Sequence, residues 1–161
     1  HPIYDNPPDG DISVDAVTGT AMLIDREKLK LINDWDTNIF NYFEDMDLCL
    51  RFRLKGFEII KIRNAEVDHD AFSSHDENFS KQMDFSRNWH YSWSSFYFLK
   101  KHTTIFNAYK FGISLFLKSI IKSVFYIFFK RSKSITHFAK AYGIFFAILN
   151  LKSKYRPKIT I

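Results

Sequence analysis

Phe40-Asn41-Tyr42-Phe43-Glu44-Asp45-Met46-Asp47-Leu48-Cys49-Leu50-Arg51 sets a group of carboxylates behind a run of aromatics and ahead of an arginine. The stretch predicts a helix over 44–55. Its acids fall in the first turn, where the positive end of the helix dipole favours them. Arg51, Arg53 and Lys55 fill the last turns, and Gly56 is a natural C-cap. Leu48 and Phe52 share one face, with Cys49 beside them. The acids then have two readings. They complement the helix start, or one of them is a general base whose pKa is set by aromatic surroundings. Spacing alone leaves both open.

Outward from this helix, Val14–Ile24 is rich in β-formers and reads as a strand, interrupted at Gly19 by a bulge or a close backbone approach. Asp25-Arg26-Glu27-Lys28 opens a helical turn. Residues 31–43 read as a loop with aromatic anchors, Phe57–Ile62 as a second strand, and 64–78 as a polar loop carrying His69 and His75. From residue 79 the pattern is helical, with helices over 79–101, 105–129 and 135–151, and a basic tail after Lys152 that is expected to fray. This gives an α/β part over 1–78 and a helical part over 79–161.

The charge is divided just as sharply. The net +5 of the 161 residues hides −8 over 1–87 and +13 over 88–161, where no acid occurs. Such a split predicts two surfaces with different partners. The lone cysteine, Cys49, excludes an internal disulfide and a cysteine-based zinc site. The opening His1–Asp11, rich in proline and glycine, is an unusual domain start and predicts a preceding part outside this sequence.

The order of motifs carries more than the spacing does. Val17-Thr18-Gly19-Thr20-Ala21-Met22-Leu23-Ile24, Trp35-Asp36, the Phe40–Arg51 run, Gly56, Ala65 and His69 follow one another as in the C-terminal half of the catalytic domain of inverting family 2 glycosyltransferases. The chain resembles their rhamnosyltransferase-like branch most, over residues 12–75. Trp35 stands where that family usually has Phe, and Thr37 where it usually has Glu.

The resemblance implies a partial GT-A-like (Rossmann-related) acceptor subdomain and single-sugar transfer with inversion from a nucleotide-sugar donor, either dTDP-rhamnose or a UDP-sugar. The acceptor would be a polyprenyl-diphosphate-linked or other envelope glycan. Asp45 would deprotonate the acceptor hydroxyl, with Glu44 as runner-up. Trp35, Asp36, Gly19 and Asp47 would lie on the acceptor side, Asp47 also serving to support the helix start or position Arg51. His69 and Arg87 would face the diphosphate and its divalent cation (Mg or Mn), which the family holds mostly through an Asp-x-Asp motif in the preceding half. Arg87-Asn88-Trp89 is not the Gln-x-x-Arg-Trp of processive members. His75 and His1 read as surface residues, and His90 as packed.

The last third of the chain points to a membrane surface. Residues 105–129 are long enough to span a bilayer, but Lys110, Lys118 and Lys122 fall with Asn107 and Ser114 on one stripe. A charged stripe beside a broad apolar face describes an interfacial helix. Each lysine or arginine near an anionic headgroup adds on the order of 1 kcal/mol. The expected location is peripheral, at the cytoplasmic face of the bacterial inner membrane. A soluble core-helix pair is the plainer reading of the same pattern, and no nucleic-acid-binding signature appears. Two other functions compete: a non-catalytic membrane-associated module binding a glycan or lipid diphosphate, and a metal-dependent hydrolase built on Glu44, Asp45, Asp47 and His69.

Overall fold

A computed structural model describes residues 10–69 and 79–157. Their order is β1 (Ile12–Val14), α1 (Arg26–Leu31), α2 (Glu44–Leu54), β2 (Ile59–Lys61), α3 (Ser80–His102), α4 (Ile105–Ile127) and α5 (Arg131–Ile148). The protein is a mostly helical, mixed α/β chain in two compact units. Residues 10–36 and 44–69 form the first; residues 37–43 and 79–157 form the second.

In the first unit β1 and β2 pair antiparallel, with Ile12 opposite Lys61 and Val14 opposite Ile59. The expected strand over Val14–Ile24 is confined to its first residue. Beyond it the backbone leaves the ladder, and the Gly19 N–H donates to the Asp45 carboxylate instead. Gly19 therefore marks a close backbone approach, outside any strand. Helix α1 starts where Asp25 accepts from the N–H groups of Glu27 and Lys28 at 2.9 and 3.2 Å, satisfying two otherwise orphaned donors.

Helix α2 ends as its sequence predicts. Gly56 has φ +83°, its N–H donates to Arg53 C=O (2.9 Å), and Phe57 N–H donates to Phe52 C=O (3.1 Å). This is a Schellman cap, and the rings of Phe52 and Phe57 meet edge-on across it. The same bonding pattern ends α1 at Asn33 and α5 at Asn150, both left-handed. Asparagine tolerates that conformation better than most residues. Ile32, Leu48 and Phe52 form the buried core, with Met22, Ile24, Leu29, Phe57 and Ile59 packed on it.

The second unit is a helical layer in which α5 packs against both α3 and α4. Trp89, Trp93, Phe96, Ala108, Ile144 and Ala147 are its core. Two glycines set the helix separations. A Cβ on Gly143 would stand 2.1 Å from the Trp89 carbonyl oxygen, and one on Gly112 would stand 2.7 Å from the Phe96 ring. The tail does not fray over its described length: Trp93 Nε1 donates to Leu151 C=O at 2.9 Å, Ser153 is buried, and Tyr155 stacks on Trp89.

Segment 37–43, expected as a loop with aromatic anchors, lies on α3. Ser94 Oγ donates to Asn41 C=O at 2.7 Å, and Phe43 contacts Tyr91 and Phe98. Tyr42 and Phe43 adopt φ of +65° and +68°. Two successive bulky residues in this region cost about 1–3 kcal/mol each, so their packing must hold them there.

Candidate functional site

The acids at the start of α2 have three different environments. Asp45 is half-buried. Its Oδ2 accepts from Gly19 N–H at 2.9 Å and its Oδ1 from Met46 N–H at 2.7 Å. Each carboxylate oxygen still has a lone pair for a further donor. The residue is thus oriented by backbone on two sides and remains able to accept a proton.

Glu44 is also half-buried, and its Oε2 is sealed from solvent with no hydrogen-bond partner among the described residues. Burial raises its pKa above the ordinary carboxylate value, and the neighbouring Asp45 charge adds to the rise. Desolvation disfavours the ionised form, which makes the group a stronger base once ionised.

Asp47 is fully buried. Its Oδ2 accepts from Arg51 Nε at 2.8 Å, one helical turn on. Arg51 Nη1 in turn donates to the carbonyls of Ile32 (2.5 Å) and Asp34 (2.7 Å). The pair clamps α2 to the left-handed turn that ends α1. Asp47 thus has no surface to offer an acceptor. It positions Arg51, as the i, i+4 spacing on the helix allows.

Of the other residues singled out from the sequence, Trp35 is partly exposed and Asp36 is half-buried, both following the clamped turn. His69 is exposed in the stretch after β2. Arg87 lies on α3 in the second unit, with Nη1 3.2 Å from Asp84. His75 and His1 fall outside the described residues. His90 is packed, as expected: Nε2–H donates to Tyr155 C=O, Nδ1 accepts from Ser153 Oγ, each at 3.0 Å, and burial lowers its pKa to about 4. Cys49 is buried, and that burial pushes its thiol pKa up, away from reactive thiolate character.

The structure therefore brings together Gly19, Glu44 and Asp45 in the first unit and assigns Asp47 to Arg51. Among the described residues, no three histidine, cysteine or carboxylate side chains gather as a metal site. Two clefts among the described residues lie away from this acid cluster. One, of about 1030 Å³, is apolar and lined by Met22, Ile24, Phe57 and Ile59. The other, of about 670 Å³, is lined by Trp93, Tyr97 and lysines including Lys100 and Lys152. Sequence reading did not find the second; its lysines lie on α3 and beyond α5, far apart in the chain.

The rhamnosyltransferase WbbL of Escherichia coli (strain K12) is 31% identical to the chain over 97 residues. That stretch is 60% of the chain and 35% of WbbL, so the chain spans about a third of the relative it matches. No family model and no solved structure matches. The chain thus has a partial likeness to a glycosyltransferase.

Proposed function

We propose that these residues form the acceptor-side part of an inverting family 2 glycosyltransferase with a GT-A-like catalytic domain, and that Asp45 is its general base. The observation that carries this reading is the Asp45 carboxylate, oriented by the Gly19 amide 26 residues away while keeping proton-accepting capacity. The likeness to a rhamnosyltransferase supports the reaction class.

In this reading a sugar hydroxyl donates its proton to Asp45 as its oxygen attacks the anomeric carbon. The bond from that carbon to the nucleotide diphosphate breaks, and the diphosphate leaves with the bonding electrons. A hydroxyl is a poor nucleophile and needs such a positioned base. Partly exposed Trp35 offers a ring for stacking on the acceptor sugar, with Asp36 beside it; exposed His69 is one diphosphate-side candidate, and Arg87, half-buried beside Asp84 in the second unit, is a separate one. The donor, dTDP-rhamnose or a UDP-sugar, and its binding half fall outside these residues. The acceptor is a polyprenyl-diphosphate-linked or envelope glycan. Among the described residues Glu44, Asp45, Asp47 and His69 do not gather into a metal site, and the divalent cation (Mg or Mn) of this reading would be held mostly with the donor-binding half.

Glu44 is the competing base, favoured by its buried, unpartnered Oε2 and raised pKa. Sugar transfer by the full-length enzyme decides between them. Asp45→Asn is expected to lower kcat by about a thousandfold or more with substrate KM little changed, and Glu44→Gln by far less. The reverse order would move the base to Glu44. Full activity in both variants would remove this acid cluster from the chemistry.

A further inference from the structure

The buried residues of α4 and α5 are small except for Ile144, while many of their large apolar residues are exposed. Ala108, Gly112, Ser119 and Ser123 of α4 are buried, as are Ser134, Ala139, Ala141 and Gly143 of α5. Ser123 and Ser134 close the turn end of the seam, each hydroxyl donating to the other's carbonyl at 3.1 and 2.8 Å. Phe106, Ile113, Leu117, Ile120, Val124 and the C-cap Phe128, spaced three, four or seven apart, are exposed along one ridge of α4 and its end. Ile135, Phe138, Tyr142, Phe145 and the C-cap Leu149 are exposed along one stripe of α5 and its end.

The ridge and the stripe belong to one face. Phe116, a turn from Ile113 and Ile120, meets the Phe145 ring at 6.0 Å. On the other side of the seam Tyr126 stacks on His137 at 5.5 Å, and Lys133 lies over Tyr126. The charges of Lys140, Lys122 and Lys133 reach His137 there and, after burial, help lower its pKa. The hairpin thus has an apolar face and, on its other side, a group of lysines among which Phe111, Ile121 and Phe125 are also exposed. Lys110 interrupts the ridge, and its alkyl stem allows the ammonium to reach water or headgroups from there.

Small residues inside and large apolar residues outside is a pattern of helices packed in an apolar surround. In water, so large an exposed apolar patch marks an interaction surface. Among the described residues no helix is long and apolar enough to cross a membrane. The geometry points to a hairpin that lies in the boundary between headgroups and acyl chains of an anionic bilayer, apolar face inward and lysines towards the phosphates. Charge selects this occupant over a second copy. Residues 88–161 carry 13 lysines and arginines and no acid, so two copies meeting here would repel, whereas an anionic surface attracts.

The test is flotation of the 161-residue chain with vesicles. Binding is expected to vesicles containing about a third phosphatidylglycerol, at least tenfold tighter than to pure phosphatidylcholine, and to weaken between 0.1 and 0.5 M salt. Leu117→Gln with Phe138→Gln, both exposed, should cut binding at least tenfold with the circular-dichroism spectrum unchanged. Lys118→Gln with Lys122→Gln should lose mainly the preference for phosphatidylglycerol. No binding to either vesicle, or a concentration-dependent dimer that hides the face without lipid, overturns the proposal. Because the readout is binding, this result is independent of the sugar-transfer assay.

Discussion

The Gly19 amide donates to Asp45 Oδ2 at 2.9 Å, linking the loop after β1 to the first turn of α2. A Cβ at Gly19 would stand 3.7 Å from the Asp45 Cβ, an ordinary contact. The position therefore needs its N–H more than its missing side chain. Gly19→Ala should leave sugar transfer within about threefold of wild type. Gly19→Pro, which removes the donor, should lower kcat about tenfold or more, since a hydrogen bond to a charged group contributes about 1.5–3 kcal/mol. Steady-state kinetics of the full-length enzyme checks both. Equal loss in the two variants would mean that space, and not the amide, matters there.

The Asp47–Arg51 pair is buried and reaches two backbone carbonyls, so its halves are not interchangeable with near-equivalents. Asp47→Ala leaves a largely buried guanidinium without its carboxylate and should cost about 3–5 kcal/mol in urea unfolding. Arg51→Lys keeps the charge but loses the planar fork that serves Asp47, Ile32 and Asp34 together, and should cost about 2 kcal/mol. A double-mutant cycle between Asp47→Ala and Arg51→Ala should give a coupling above about 1 kcal/mol. Additive losses would reduce the pair to two separate contacts.

Gly143→Ala opposes two effects of known sign. Alanine is the better helix former by about 1 kcal/mol. The added methyl, however, would fall 2.1 Å from the Trp89 carbonyl oxygen and 2.9 Å from its carbon. Backbone cannot swing aside as a side chain can, so α3 and α5 must separate around their shared core. Net destabilisation of about 1–3 kcal/mol is expected, seen as a lower Tm. A raised Tm would show that the helices have room to part.

His90 makes stability depend on pH. Its folded pKa of about 4 lies below the unfolded value of about 6.5, so the unfolded chain binds the extra proton in between. The contribution is fully present above about pH 6.5 and is lost as pH falls towards 4, by about 3 kcal/mol. Urea midpoints measured across that range should drop for wild type. His90→Gln, which cannot take up the proton, should show a flatter profile there. Parallel profiles would place the pH dependence on other groups.

The sequence by itself determined the local elements and the one cluster with chemical meaning. Helix α2 follows from acids first, cations last and Gly56 after them, and these are contacts between near neighbours. The long helices follow from their apolar spacing, and the split of charge from composition. Tertiary structure decided what depends on residues far apart in the chain. It separated three similar acids: one held by Gly19, one half-buried with a single carboxylate oxygen sealed and unpartnered, and one committed to Arg51 and the Ile32–Asp34 turn. It shortened the first strand, because only a partner's hydrogen bonds make a strand and the backbone there bonds Asp45 instead. It also turned the apolar side of α4 into two surfaces, a small-residue seam and an exposed ridge. Helical spacing shows which residues share a side; only the packing of α5 shows which of them are covered.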